Sequence, residues 1–214
     1  MEMGFVKRGQ LLFLASFAGL IAAGTLLLKL PWAHDAFLPW PDACFMATSA
    51  VCVTGLATVP VGEFNAFGQV VLLLLIQLGG IGIMTLSASI LLLMGRGLSF
   101  SDTLLISNLS DNFSLPRTEG LIRTVIQYVL VSEAIGFFLL LPGFLGKYPL
   151  LESVWYSLFH SVSAFCNAGL SPLPDSLIGQ GRWTQGVIAG LVIFGGLGVY
   201  VIYDLLMEIG RAHV

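Results

Sequence analysis

The stretch TSAVCVTGLATV, Thr48 to Val59, decides how the rest of the chain is read. It carries no charged residue, is rich in β-branched side chains and is broken by a glycine at Gly55. It precedes a long apolar run, yet it is built neither like the middle of a transmembrane helix nor like a soluble loop. A related stretch, SVSAFCNAGLSP, returns at Ser161 to Pro172.

The surroundings of both stretches are those of a membrane protein. The 214 residues are 57% hydrophobic and only 10% charged, with a mean hydropathy of +0.93. A soluble domain of this length needs far more charge on its surface. The net charge of −3 marks no particular partner, and no basic patch suggests nucleic acid. Cys44, Cys52 and Cys166 are odd in number and lack metal-ligand spacing, so neither a disulfide framework nor a zinc site is indicated. The N-terminal MEMGFVKRGQ and the apolar run behind it mimic a signal peptide. That run, Leu11 to Leu30, is too long for one and lacks a clean small-residue cleavage site, so it is read as a retained helix. The chain shows no nucleophile–base pair, no metal set and no phosphate-binding glycine loop, so no enzymatic activity is expected.

Four stretches are expected to cross the bilayer: residues 10–30, 67–93, 121–144 and 183–207. A span needs about 20 residues at about 1.5 Å each. Two further apolar stretches are too short. Residues 41–50 follow PWP and open on Asp42, a good helix N-cap. Residues 151–164 follow YPL and carry Glu152 in the first turn. Both read as half-helices that enter the membrane and stop. Residues 51–55 and 165–169 would then be non-helical backbone at membrane depth, tolerated only where protein buries it or where it lines a watery path. The expected fold is an all-α membrane protein of two helix–pore-helix–filter-loop–helix repeats, potassium-channel-like, with four transmembrane helices and two re-entrant half-helices.

An internal duplication supports that reading. Aligning Gly55 with Gly169 gives an offset of 169 − 55 = 114, at which Phe45 meets Phe159, Ser49 meets Ser163, Ala50 meets Ala164, Cys52 meets Cys166 and Leu56 meets Leu170. QLGGIG at Gln77–Gly82 matches IFGGLG at Ile193–Gly198 at an offset of 116, so the second loop carries a two-residue insertion. The first repeat is placed at residues 1–96, a linker at 97–120 and the second repeat at 121–214. Lys7, Arg8, Arg96, Arg117, Arg123 and Arg211 fall on one side, and Lys29, Lys147 and Arg182 on the other. The positive-inside rule then puts both termini and the linker in the cytoplasm of a multi-pass plasma-membrane protein. Both half-helices enter from outside. The linker's SDTLLISNLSDNF is weakly amphipathic and suits a short interfacial helix or loop.

A half-helix pointing inward leaves its C-terminal carbonyls at the membrane centre, with a partial charge of about −0.5. Two such loops facing one another favour a desolvated cation, and rings of carbonyls are how potassium filters replace a hydration shell. Val51, Val53 and Thr54 favour extended backbone. Gly55 and Gly169 permit angles other residues resist and a close approach to an ion. With no acid or base in either loop, selectivity would come from main-chain geometry.

FMATSAVCVTGLATV followed by FGQVVLLLLIQLGGIGIMTL, together with SLFHSVSAFCNAGLSPLPDSL, resembles the potassium-translocating subunits of the Trk/Ktr/HKT superfamily, in the Ktr-type (KtrB/NtpJ-like) branch. The resemblance implies repeats of outer helix, pore helix, filter loop and inner helix, with a selectivity glycine in each filter: here Gly55 and Gly169. It implies ion ligands among the carbonyls of Val51, Cys52, Val53 and Thr54, and of Phe165, Cys166, Asn167 and Ala168. It implies potassium uptake, with sodium coupling left open, a cytoplasmic nucleotide-binding regulatory subunit of the Ktr/Trk A type, and often a dimer of pore subunits. Members carry four repeats around one pore, and this chain has two. The expected explanations are a truncated chain, favoured by the end at EIGRAHV, or two copies sharing a pore. The alternative function is a non-conducting truncated or assembly-partner subunit. The resemblance also implies an intramembrane gating loop in the inner helix of a third repeat, which is not in this sequence.

The remaining marked residues have plainer readings. Gly79, Gly80, Gly82, Gly195, Gly196 and Gly198 fit close helix packing, with a hinge as the sharper alternative. Glu133 lies within the third span, where a charge costs about 3 kcal/mol. It is read as a protonated or hydrogen-bonded packing partner on an outer helix. His160 is read as a polar group satisfied by a neighbour, and Cys52 and Cys166 as small packing groups. Thr54 and Asn167 support the filter or their local backbone through side-chain hydrogen bonds. Asp204 and Glu208, at the inner end of the last helix, either attract cations or face water.

Overall fold

The computed structural model describes residues 2–93 and 115–211. Among them are six α-helices and no strand: α1 (Glu2–Leu28), α2 (Trp40–Val51), α3 (Ala66–Leu93), α4 (Leu115–Leu145), α5 (Leu150–Phe165) and α6 (Arg182–Arg211). The order is long, short, long, given twice. Residues 94–114, which include most of the expected linker, lie outside the described residues; 115–120 form the start of α4. The side chains of Asp204 and Glu208 also lie outside the described ones.

Each short helix starts at a proline. Pro39 (φ −59°, ψ 150°) caps α2 and Pro149 (φ −54°, ψ 155°) caps α5. Pro41 adds rigidity in the first turn of α2, where its missing N–H costs nothing. Asp42 is not the N-cap expected of it. It stands one position beyond Pro41, inside the first turn, as Glu152 does in α5, and both carboxylates complement the positive end of their helix.

Two of the long helices are long and apolar enough to cross a membrane among the described residues, against four spans expected: α3 over Ala66–Thr85 and α4 over Val125–Leu145. In α1 the described apolar stretch is the shorter Leu14–Leu28. Helices α1 and α4 are each followed closely by a lysine that binds a loop carbonyl. Lys29 Nζ donates to the Leu38 carbonyl at 2.5 Å and sits over the rings of Phe37 and Trp40 at 4.6 and 5.1 Å. Lys147 Nζ donates to the Gly179 carbonyl at 2.6 Å. A cation at a helix C-terminus is favoured by the helix dipole.

Helix α2 packs on α1 and α3, and α5 packs on α4 and α6; α3 also contacts all three helices of the second half. One apolar cluster joins Leu28, Met46, Val51, Leu72 and Ile76 to Phe159 and Val162 of the other half. A second is built on Val125, Val129, Phe144, Phe165 and Leu191. A polar link spans the halves as well: Trp155 Nε1 donates to Gln69 Oε1 at 2.6 Å. The loops that follow the two short helices meet, with Gly55 against Gly169.

Candidate functional site: two facing loops

Both short helices stop by the same hydrogen bonds. Cys52 and Cys166 donate to the Thr48 and Val162 carbonyls at 2.8 and 2.9 Å. Val53 and Asn167 follow in the left-handed region (φ +50° and +59°), donating to Ala50 and Ala164 at 3.3 and 3.0 Å. Thr54 and Ala168 then reach back to Ser49 and Ser163 at 3.0 and 2.7 Å. These six-to-one and five-to-two bonds make a Schellman cap at each helix.

The cap corrects the expectation of extended backbone from Val51. Val51 and Phe165 are the last residues of α2 and α5, and Val53 turns left-handed. Its β-branched preference for extended backbone loses to the cap bonds that gather otherwise orphaned helix carbonyls. A left-handed angle costs a branched residue about 1–2 kcal/mol, whereas asparagine tolerates it.

Beyond the caps, Gly55 (φ +75°) and Gly169 (φ +69°) turn the two loops toward each other. A side-chain carbon at Gly55 would lie 3.5 Å from the Gly169 α-carbon and 2.8 Å from the Ala168 oxygen. Among the described residues, the main-chain oxygens of Cys52, Val53, Thr54 and Gly55, and of Cys166, Asn167, Ala168 and Gly169, accept no hydrogen bond. Native structures rarely leave carbonyls unpaired without solvent or a ligand to meet them. The Val51 and Phe165 oxygens differ. They are pressed against Gly79 of α3 and Gly195 of α6, leaving no room for a side chain at either glycine. Close packing is therefore the role of these two glycines of α3 and α6.

Side chains brace the loops from behind. Thr54 Oγ1 donates to Ser49 Oγ at 3.0 Å, and Ser163 Oγ donates to the Leu170 carbonyl at 2.6 Å. With its amide nitrogen toward α6, Asn167 donates to the Val192 carbonyl at 3.2 Å and accepts from the Gly196 N–H at 3.3 Å. Those two groups are the partners that one helical turn joins to each other. His160 is satisfied at both nitrogens, by the Tyr156 carbonyl at 2.7 Å and Ser171 Oγ at 2.9 Å, and stacks on Phe144. A carbonyl only accepts, so in the neutral ring Nδ1 carries the proton. A cavity of about 190 Å³ opens beside the second loop, lined by His160, Asn167, Gly169 and Val192 among others. No group of three or more His, Cys, Asp or Glu converges to hold a metal among the described residues.

Several contacts were not foreseen. Cys166 is more than a small filler, since its thiol lies against Gly80 and 3.8 Å from Glu133 Oε1. Gln69 and Gln77 both serve as polar contacts inside the long apolar run of α3. A glutamine amid leucines was the available signal.

A helical protein with two short helices stopping at facing, glycine-turned loops of free carbonyls can offer a cation main-chain oxygens in place of water. The chain belongs to the TrkH family of cation transport proteins, which matches residues 13–213. It is 38% identical over 197 residues to Ktr system potassium uptake protein B of Vibrio alginolyticus, covering 91% of this chain and 43% of that one. The corresponding Bacillus subtilis protein is 36% identical over 189 residues, covering 87% and 42%. Potassium/sodium uptake protein NtpJ of Enterococcus hirae is 36% identical over 203 residues, covering 91% and 44%. The chain thus spans less than half the length of the curated relatives it matches.

Proposed function

We propose that this chain supplies two of the filter loops of a potassium-uptake pore, and that potassium moves down its electrochemical gradient past them. The observation that carries the reading is the meeting of two identically capped loops, with eight unpaired carbonyls, at Gly55 and Gly169. The bonds at Cys52, Val53 and Thr54 each have a counterpart 114 residues on, at Cys166, Asn167 and Ala168, which favours a duplicated unit. The ion ligands narrow to the carbonyls of Cys52–Gly55 and Cys166–Gly169. The oxygens of Val51 and Phe165 are taken up against the inner helices.

Two loops cannot encircle an ion. The remaining oxygens would come from a second copy of this chain or from the other half of a protein as long as the relatives. The membrane arrangement that goes with this reading has four spans, two re-entrant half-helices entering from outside, and cytoplasmic termini. A cytoplasmic nucleotide-binding subunit of the Ktr/Trk A type would regulate it, and sodium is the candidate coupling ion, as the name of the Enterococcus relative suggests. Because the chain covers under half of these relatives, a non-conducting assembly partner is the competing reading.

Growth of an uptake-deficient bacterial strain at limiting potassium separates the two. Rescue by the chain supports a pore. Absence of rescue, with a full-length relative rescuing from the same vector, assigns the non-conducting role to the chain alone.

A further inference from the structure

Glu133 is a carboxyl only 7% exposed in the middle of α4, and transport through main-chain oxygens gives it no task. An ionisable residue inside a span is expensive and is kept for its partners. Its partners here lie in the second loop, in the short helix α5 that leads into it and in α3. The Cys166 thiol donates to Oε1 at 3.8 Å. The Gln77 carboxamide approaches the same carboxyl from α3, with its nitrogen buried and lacking a fully formed hydrogen bond. One turn before the loop, Ser161 Oγ donates to the Glu133 main-chain oxygen at 2.6 Å. Gly80 closes the far side of the thiol, 2.6 Å from where its own side-chain carbon would stand. Cys166 is thus held from two sides, and its own carbonyl is one of the eight left unpaired.

Among the described residues, the first loop has no such support. The position equivalent to Glu133 is 133 − 114 = 19, which is Gly19, and a side chain there would meet nothing within 4 Å. Cys52 is correspondingly half-buried, whereas Cys166 is buried. The two loops share their caps and differ in what stands behind them.

We propose that Glu133 is a positioning residue for the second loop. By accepting the Cys166 thiol, its carboxyl sets where the Cys166 and Asn167 oxygens stand and so sharpens the preference for potassium over sodium. The inference rests on the reading of the loops as a cation filter. A thiol–carboxyl contact worth about one ordinary hydrogen bond corresponds to roughly a fivefold effect on that preference.

The test compares thermal unfolding of the full chain, purified in the assembly that rescues potassium uptake, in potassium and in sodium chloride, together with the S–H stretching band in the infrared. The unaltered chain is expected to melt higher in potassium. Glu133→Leu should abolish that difference and move the S–H band to its free-thiol position. Glu133→Gln keeps an acceptor oxygen and should retain both. Should Glu133→Leu fail to fold, Cys166→Ala takes its place and should also lose the potassium–sodium difference. An equal drop in both salts, with the difference intact, marks a purely structural role and overturns the inference while leaving the filter reading standing. An S–H band that ignores Glu133→Leu also overturns it. An unaltered chain that melts identically in both salts overturns the filter reading, and the inference with it.

Discussion

Gly55 and Gly169 stand face to face: a side-chain carbon built on either would come within 3.5 Å of the other's α-carbon. Their angles, φ +75° and +69°, are nearly the same. Two residues separated by 114 positions therefore form one contact, and each turn limits how the other can move. The contact is not symmetric, because only at Gly55 would the added carbon also strike a carbonyl, that of Ala168 at 2.8 Å.

That asymmetry ranks two substitutions. Both Gly55→Ala and Gly169→Ala impose the left-handed penalty of about 1–2 kcal/mol, but Gly55→Ala must also displace the second loop. Gly55→Ala, and Gly55→Ser still more, should loosen potassium-over-sodium selectivity further than Gly169→Ala does. Uptake of the two ions by a conducting assembly measures this. Equal effects at the two glycines would contradict the ranking.

Asn167 carries a left-handed angle and two contacts to α6. Asn167→Val would import the strain that Val53 bears and lose both bonds, for a destabilisation of about 1–3 kcal/mol. Thermal unfolding in detergent reads this directly. A variant as stable as the unaltered chain would remove the bridge to Val192 and Gly196 from the account.

The glycines of α3 and α6 divide sharply by the space around them. Gly79→Ala and Gly195→Ala push a methyl group into the Val51 and Phe165 carbonyls, and such overpacking costs about 1–3 kcal/mol or more. Gly190, in the same helix as Gly195, has nothing within 4 Å. Gly190→Ala should be neutral, or stabilising by up to about 1 kcal/mol through helix propensity. A common outcome for all three would show that helix approach does not depend on the missing side chains.

The bond from Trp155 to Gln69 joins the second short helix to α3. Trp155→Phe and Gln69→Leu should each destabilise the fold, and the double variant should lose about 1 kcal/mol less than their sum. A coupling of zero in that cycle would mean the two side chains do not interact.

Much of this was legible along the chain because it is written locally. Apolar runs long enough to be helices, prolines that start the short helices at Pro39 and Pro149, and glycines that turn the loops at Gly55 and Gly169 act within a few residues of themselves. The pairing of Cys52 with Cys166 and Gly55 with Gly169 was visible as an offset; the two cysteines close their helices by the same bond and the two glycines share a left-handed turn. Local signals also misled. Asp42 has the chemistry of an N-cap, yet the rigid Pro39–Pro41 segment starts the helix earlier. Val53 has an extended preference, yet two cap bonds outweigh it.

The helical class, the order of long and short segments and the residues of the two loops follow from the chain alone, since hydrophobic length and glycine or proline punctuation need no distant partner. Which carbonyls stay free and which are pressed on Gly79 and Gly195 depends instead on the folded packing. It alone placed Glu133 behind Cys166 and Trp155 on Gln69. Such contacts join residues 33 and 86 positions apart. They depend on how helices cross, and no periodicity within one segment encodes the angle at which it meets another.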